Sequence, residues 1–224
     1  MTIMKKISII TPVYNESQSI PLLVDEIKTV MSKSGFKYEI IAVNDGSKDD
    51  TEDVLSDIAQ KNKELKVINF NSNKGQSAAL SAGIEKSTGD IIVTIDSDLE
   101  NDPNDILNLI NTMSKGFDVV SGWRDGRWEG NYFSRKLPSK IANTLISKIT
   151  KVKLNDYGCT LKAYSRRVIE DVHLYGEMHR FIPAYTAWNG GNVTEVKVSF
   201  RPRKFGKSNY GISRTFKVLL DLIT

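Results

Sequence analysis

The sequence predicts an α/β protein, a mostly parallel sheet with helices on both faces. Short apolar or β-branched runs at residues 7–11, 38–44, 66–71, 90–95 and 118–121 read as strands. Stretches of helical periodicity at 19–34, 50–61 and 76–87 lie between them. Strands that alternate with helices make crossover units, whose strands run parallel and are covered on both faces.

Each element has its own local reason. Strand 7–11 is apolar, and Pro12 is expected to end its ladder. In helix 19–34, Ile20, Leu23, Val24, Ile27, Val30 and Met31 recur at helical spacing and form a core face. Strand 38–44 ends in Asn44-Asp45-Gly46-Ser47, and Asp49-Asp50 cap the following helix. Strand 66–71 leads through Asn73, Lys74 and Gly75 into a helix that begins at Gln76. Strand 90–95 runs into Asp96-Ser97-Asp98-Leu99-Glu100. Asp102 is expected as the N-cap, with Pro103 at the first position, of helix 104–115.

After Ser121 the pattern loosens. Residues 122–136 are polar, basic and aromatic, and a loop of that length in a compact domain is usually functional or mobile. A helix is expected at 137–150, a returning strand at 159–164 and a short helix at 166–172. Residues 178–189 read as helical despite Pro183, stopped by Gly190-Gly191. A strand is expected at 193–200, then a basic turn at 201–211 and an amphipathic segment at 212–223. No internal repeat, low-complexity tract or linker is visible, so a single domain is the economical reading.

Composition narrows the function classes. The chain has 224 residues and a net charge of +4. Acidic residues crowd the first half, while basic residues gather at 124–140, 148–153 and 201–217. Such asymmetry points to an anionic partner: a phosphate, a nucleic acid or an acidic membrane surface. The lone Cys159 excludes an internal disulfide and a cysteine zinc cluster, and cytosolic placement is expected for this segment. There is no apolar run of about 18 residues to span a bilayer and no signal-peptide pattern at the start.

The chemistry centres on Asp96, Asp98 and Glu100. Carboxylates after a buried strand sit where open α/β sheets bind ligands. Three acids so close repel one another unless a cation holds them, and all-oxygen ligands suit Mg²⁺ or Mn²⁺. The ion would in turn grip a diphosphate. A calcium EF-hand is excluded, because Asn101 and Leu107 stand where it needs Gly and Glu. A dinucleotide-binding dehydrogenase is excluded by the absence of G-x-G-x-x-G after the first strand. The loops after the other early strands share the same edge. There Tyr14 is placed to stack on a base and Asp45 to accept from a base imide. The amides before Gln76 favour an anion.

Thr11-Pro12-Val13-Tyr14-Asn15-Glu16, Asn44-Asp45-Gly46-Ser47, Asn71-x-x-Lys74-Gly75 and Asp96-x-Asp98 together resemble a family 2 glycosyltransferase with the GT-A fold. Ser121-Gly122-Trp123-Arg124, Arg135 through Ser139 to Asn143, Asp156-Tyr157-Gly158-Cys159, Glu177 through Pro183, and Arg203 through Tyr210 resemble its polyprenyl-phosphate branch. The likeness covers nearly the whole chain. It implies that Pro12, Tyr14, Glu16 and Asp45 bind the nucleoside, with Gln76 and Ser97 near the ribose and diphosphate. It implies that Asp96, Asp98 and Glu100 form the metal and diphosphate centre. Arg124, Arg135 and Ser139 would meet the acceptor phosphate, and Arg203 and Lys207 would close over a phosphate. Asn44 stands where family members usually carry Asp, and Asn209 where they often carry Lys.

The activity implied is inverting transfer of a sugar from a UDP- or GDP-sugar to a polyprenyl phosphate at the cytoplasmic face of a membrane. Residues 1–211 would form the catalytic domain. Residues 212–224 would form an amphipathic, juxtamembrane helix, where relatives continue into transmembrane helices. Trp123, Trp128, Tyr132 and Phe133 would dip into the interface. Two other readings stand beside it. One is transfer to a saccharide hydroxyl, which needs a base and nominates Asp156. The other is an inactive binder of sugar nucleotides or membrane surfaces, which would not need to keep Asp96, Asp98 and Arg203.

Overall fold

A computed structural model gives the fold and describes residues 5–125, 127, 137–170, 172, 174, 176 and 178–206, without the side chains of 137–142. The first half follows the expected alternation: β1 (Lys6–Val13), α1 (Ile20–Ser32), β2 (Lys37–Asn44), α2 (Thr51–Lys61), β3 (Leu65–Asn69), α3 (Gln76–Lys86), β4 (Ile91–Thr94) and α4 (Asp105–Met113). The second half adds β5 (Val119–Trp123), α5 (Leu137–Thr150), β6 (Lys162–Ser165), α6 (Arg166–Ile169), a 3-10 turn at Met178–Arg180, α7 (Ile182–Trp188) and β7 (Val193–Lys197).

These strands form one seven-stranded sheet in the order β3-β2-β1-β4-β6-β5-β7. All run the same way except β6, which is antiparallel to both β4 and β5. The strand at 159–164 thus exists, shifted two residues on, and it enters the sheet from the opposite end. Helices α1, α2 and α4 cover one face, around Ile7, Ile9, Leu23, Ile27, Leu55 and Leu109. The other face carries α3, α6 and α7, around Ile10, Ile41, Leu80, Ile84, Ile169 and Ile182. The predicted α1 stripe is buried as read. Each such aliphatic, once fully buried, stabilises the fold by about 1.5–3 kcal/mol over its exposed state.

Four local expectations change. Pro12 does not end β1, which pairs with β2 through Val13. Pairing with β4 stops at Ile10, so Pro12 lies where the ladder has one side only and a missing N–H is tolerated. Helix α4 begins at Asp105 with Asn104 as N-cap. Three tight i→i+3 bonds, from Asp105, Ile106 and Leu107, wind residues 102–107 into its first turn. Strand β5 continues past Ser121 to Trp123. There Gly122 is required, because a Cβ would stand 2.7 Å from the Leu161 carbonyl oxygen. Residues 178–189 are a 3-10 turn followed by α7, with Pro183 in the helix's first turn, where its missing N–H costs nothing.

Among the described residues, no helix is long and apolar enough to cross a membrane. Residues 207–224, including the amphipathic segment, and Trp128, Tyr132 and Phe133 lie outside the described residues.

Candidate active site

Because β1, β2 and β4 are parallel, the loops that leave them meet at one edge of the sheet. They enclose a cleft of about 420 Å³, the size of a small-molecule site. Its wall is Pro12, Val13, Tyr14, Glu16, Asp45, Asn73, Gly75, Gln76, Asp96, Ser97, Asp98 and Arg203. Every residue that the sequence reading assigned to a nucleotide is in that wall. Val13, Asn73 and Gly75 are additions.

Asp45 is buried and organises the cleft's β2 side. Its Oδ1 accepts from the Lys74 amide at 2.6 Å, and its Oδ2 from the Gly75 amide at 2.9 Å and Asn73 Nδ2 at 3.0 Å. A carboxylate accepts about four hydrogen bonds, so one position stays open toward the cleft. Gly46 lets this loop close: it has φ +65°, and a Cβ would meet the Ser72 backbone at 2.4 Å. Asn44 is buried too, donating to Asn69 Oδ1 at 3.1 Å and accepting from the Ser47 amide at 3.1 Å. Asn15, at φ 55°, bonds Ser47 and Lys48 and so ties the β1 loop to the β2 loop.

Gln76 opens α3 after Gly75, whose φ of +91° suits only glycine. Its Nε2 donates to Asp96 Oδ1 at 2.9 Å and approaches Thr160 Oγ1 at 3.4 Å. One residue on, Ser77 Oγ bonds His179 Nδ1 at 2.8 Å. His179 is buried against the start of α3, a positioning contact that the sequence could not show.

The acidic loop after β4 is strained where it matters. Leu99 has φ 63°, a left-handed conformation that costs a residue with a Cβ about 1–2 kcal/mol. Its side chain is buried in the core, which holds the backbone there. Asp98 and Glu100 flank this anchored turn, and both side chains are largely buried. Ser97 Oγ donates to the Pro12 carbonyl at 3.0 Å and pins the loop to β1.

These acids sit in poorly compensated surroundings. Burial, then the neighbouring Asp98 charge, push the Asp96 carboxyl up to about 6. Burial and Asp98 likewise raise Glu100. Burial also raises Glu16, against the opposing pull of Ser19 and Arg203. Part of the compensation for Glu16 and Glu100 comes from the far end of the chain, behind Ser19 and Arg127 respectively. Arg203 Nη2 lies 2.6 Å from Asp98 Oδ2, its Nη1 3.1 Å from Glu16 Oε1, and its Nε 3.7 Å from Glu100 Oε1. The backbone carries it there through an Asn101–Phe200 bridge and a 2.8 Å bond from the Arg201 amide to the Glu100 carbonyl.

Asp96, Asp98 and Glu100 are turned to separate partners: Gln76, Arg203, and Arg127 at 3.3 Å. Among the described residues no three such side chains converge as a metal-binding group. The donor set still fits a hard divalent ion. Mg²⁺ is typically held by one or two carboxylates together with substrate phosphates rather than by a protein cage.

On the β5 side, Arg124 is buried and grips Asp156 through two bonds, Nε–Oδ2 at 2.7 Å and Nη2–Oδ1 at 3.0 Å. Burial alone would raise Asp156, but the guanidinium outweighs it and holds the carboxyl at about 2. Arg124, in turn, is held charged by Asp156 despite its burial. Arg180 stands close by, since a Cβ on Gly158 would lie 3.2 Å from its Nη1 and 3.5 Å from Arg124 Nη2. Lys162 is buried beneath this turn. It donates to the carbonyls of Tyr157 and Cys159, and burial lowers its ammonium to about 8. Cys159 is buried and packed. Of the expected acceptor residues, Arg135 and Lys207 lie outside the described residues, as does the side chain of Ser139.

The chain resembles proteins of known kind along nearly its whole length. Dodecaprenyl-phosphate galacturonate synthase of Rhizobium johnstonii is 42% identical over 223 residues, 98% of this chain and 66% of that protein. Undecaprenyl-phosphate 4-deoxy-4-formamido-L-arabinose transferase of Pseudomonas syringae pv. syringae is 37% identical over 221 residues, 98% of this chain and 65% of that protein. The chain thus spans just under two thirds of the length of these curated relatives. Among solved structures, glucosyl-3-phosphoglycerate synthase of Mycobacterium tuberculosis with Mn²⁺ and UDP-glucose superposes at a TM-score of 0.76 and 20% identity. That match covers 98% of this chain and 78% of that one, a likeness of fold. The architecture is the expected GT-A fold. Residues 8–173 match the family described as glycosyl transferase family 2, and with that match, the relatives and the cleft in agreement, the chain belongs to glycosyl transferase family 2.

Proposed function

We propose that this chain is the catalytic part of an inverting transferase that moves a sugar from a nucleoside diphosphate to a polyprenyl phosphate at the cytoplasmic face of a membrane. One observation carries the reading. The cleft wall holds a cation, Arg203, and oxygen donors, Asp96 and Asp98, together with Tyr14 and Asp45, which supports a site for both a phosphate and a base. The names of the curated relatives supply the acceptor class.

In this reading Tyr14 and Asp45 hold the base. Glu16 and Gln76 orient neighbouring groups, and Asp96 and Asp98, with Glu100 behind them, would hold Mg²⁺ or Mn²⁺. When bound, such an ion neutralises charge on the leaving diphosphate. Arg203 and Lys207 stabilise the same leaving group from the protein. The acceptor phosphate oxygen bonds to the sugar's anomeric carbon from the face opposite the diphosphate. The bond from that carbon to the diphosphate breaks, and the diphosphate leaves with the electron pair. A phosphate monoester is ionised near neutral pH, so it needs positioning rather than deprotonation. Arg124, Arg135 and Ser139 are assigned that positioning.

Transfer to a sugar hydroxyl would need a base, and the acid nominated for it, Asp156, is clamped by Arg124 with a carboxyl at about 2. So strong an acid is a poor base near neutral pH. The phosphate acceptor is therefore favoured.

The test is calorimetry with UDP, GDP, TDP and CDP, each with and without Mn²⁺, followed by a transfer assay on undecaprenyl phosphate. Selective, metal-dependent binding of one nucleotide that is lost in Asp98→Ala, with transfer to the lipid phosphate, supports the proposal. Absence of binding to all four with Mn²⁺ present would overturn it, and binding without transfer would favour an inactive binder.

A further inference from the structure

Arg203 is more deeply committed to the acidic centre than a residue that merely awaits a phosphate. One guanidinium reaches carboxylates from two loops: Glu16 after β1, and Asp98 and Glu100 after β4. Its Nε is buried with no hydrogen-bond partner, so the group is held by charge more than by a completed set of bonds. The segment that delivers it is fixed independently. The Arg201 amide bonds the Glu100 carbonyl, and the Arg201 guanidinium pairs with Glu26 at 2.9 Å and Asp102 at 2.5 Å. The Arg203 side chain can thus leave while residues 200–202 stay docked.

A divalent cation binds carboxylate oxygens at about 2.0–2.6 Å. Asp98 Oδ2 already has a guanidinium nitrogen at 2.6 Å. That oxygen can accept a guanidinium hydrogen bond and ligate an ion at once, but the two cations would then stand side by side, so Arg203 at this place opposes entry of a bare ion by charge. A bare ion gives the displaced guanidinium nothing in exchange and leaves two cations side by side. A diphosphate gives it a doubly anionic, bidentate partner at the same place.

We propose that Arg203 is a tethered counter-ion that makes the acidic centre selective for a divalent cation arriving with a nucleoside diphosphate, against the bare ion. The proposal rests on the nucleotide-diphosphate reading of the cleft. It makes binding of metal and of nucleotide mutually reinforcing, and by linkage the reinforcement is the same whichever is added first. In the absence of nucleotide, the guanidinium supplies the positive charge beside Asp98, Glu16 and Glu100.

The test uses Mn²⁺ alone, read by the paramagnetic resonance signal of the free ion, and then UDP and GDP by calorimetry at saturating Mn²⁺. The proteins are the native chain, Arg203→Gln and Arg203→Lys, each checked by circular dichroism. Arg203→Gln is expected to bind bare Mn²⁺ at least tenfold more tightly than native, yet to bind nucleotide at least tenfold more weakly. Arg203→Lys keeps the charge and is expected to stay within about threefold of native for the bare ion; it carries the test if the glutamine variant fails to fold, because tenfold tighter Mn²⁺ binding by the lysine variant would overturn the proposal. Equal or weaker binding of bare Mn²⁺ by Arg203→Gln would also overturn it. The bare-ion arm involves no nucleotide. A native protein that binds none of UDP, GDP, TDP and CDP in the calorimetry above therefore overturns the nucleotide reading separately.

Discussion

The two ends of the sheet treat buried carboxylates in opposite ways. At the amino end of the strands Glu39 is buried, and it accepts from Ser8 Oγ at 2.7 Å, the Thr88 amide at 2.7 Å, Thr88 Oγ1 at 2.8 Å and Lys66 Nζ at 2.8 Å. Lys6 Nζ stands 3.1 Å away. Burial alone would raise its carboxyl, but these partners hold it well below the usual glutamate range. At the carboxyl end Glu16, Asp96 and Glu100 are all raised by burial, and their partners do not make up the difference. The fold completes the solvation of a carboxylate where nothing has to bind. It leaves charge under-compensated in and beside the cleft, where the proposed ligand would complete it.

This contrast can be broken or sharpened by experiment. The largest expected effect tests a compensated buried pair at the carboxyl end. Arg124→Ala strands Asp156 in the interior and is expected to cost about 3–5 kcal/mol of unfolding free energy in urea titrations. A loss under 1 kcal/mol would mean that this pair belongs with the under-compensated acids. Next, Asp98→Asn is expected to lower metal-dependent nucleotide affinity or turnover about 100-fold. Its urea midpoint should shift less than that of any Glu39 variant. Glu39→Ala should do the reverse: it leaves buried donors unpaired and is expected to cost about 2–3 kcal/mol, while nucleotide affinity of the folded protein stays as native.

A smaller effect lies in the pH profile. Because the folded pKa of Glu39 is below its unfolded value of 4.5, its contribution is complete above pH 4.5. That contribution fades as the pH falls further toward the folded value. The gap between the urea midpoints of native protein and Glu39→Gln, measured from pH 6 down to 3, should narrow below pH 4.5 without closing. Parallel curves would show that the charge on Glu39 is not what stabilises. The smallest effect is that of Lys66→Met, whose ammonium is half exposed, and about 0–1 kcal/mol is expected.

The same contrast explains what was legible in the sequence. The β1, β2 and β4 loops could be placed on one edge because each follows a parallel strand, and apolar runs plus local punctuation reveal such strands. Tyr14, Asp45, Asp96 and Asp98 were placed at the cleft edge that way, and Gln76 likewise from the loop after β3. Pro12 misled, since whether a proline ends a strand depends on which neighbour continues beside it. The Asp156–Arg124 clamp, the Ser77–His179 bond and the grip of Arg203 on Asp98 join residues far apart in sequence, and no periodicity marks them. Antiparallel β6 was unreadable for a related reason. Four residues, the first three of them buried, carry no sign of direction.

That reversed strand has an evolutionary consequence. β5 ends, and β6 begins, at the same edge of the sheet, the one that bears the cleft. Among the described residues, the wall carried by the loops after β1, β2, β3 and β4 takes no residue from the excursion between β5 and β6. Lineages can lengthen, shorten or exchange that excursion as a cassette while the opposite wall is inherited intact. A chimaera that takes residues 125–158 from a relative should keep the host's nucleotide preference and adopt the donor's acceptor.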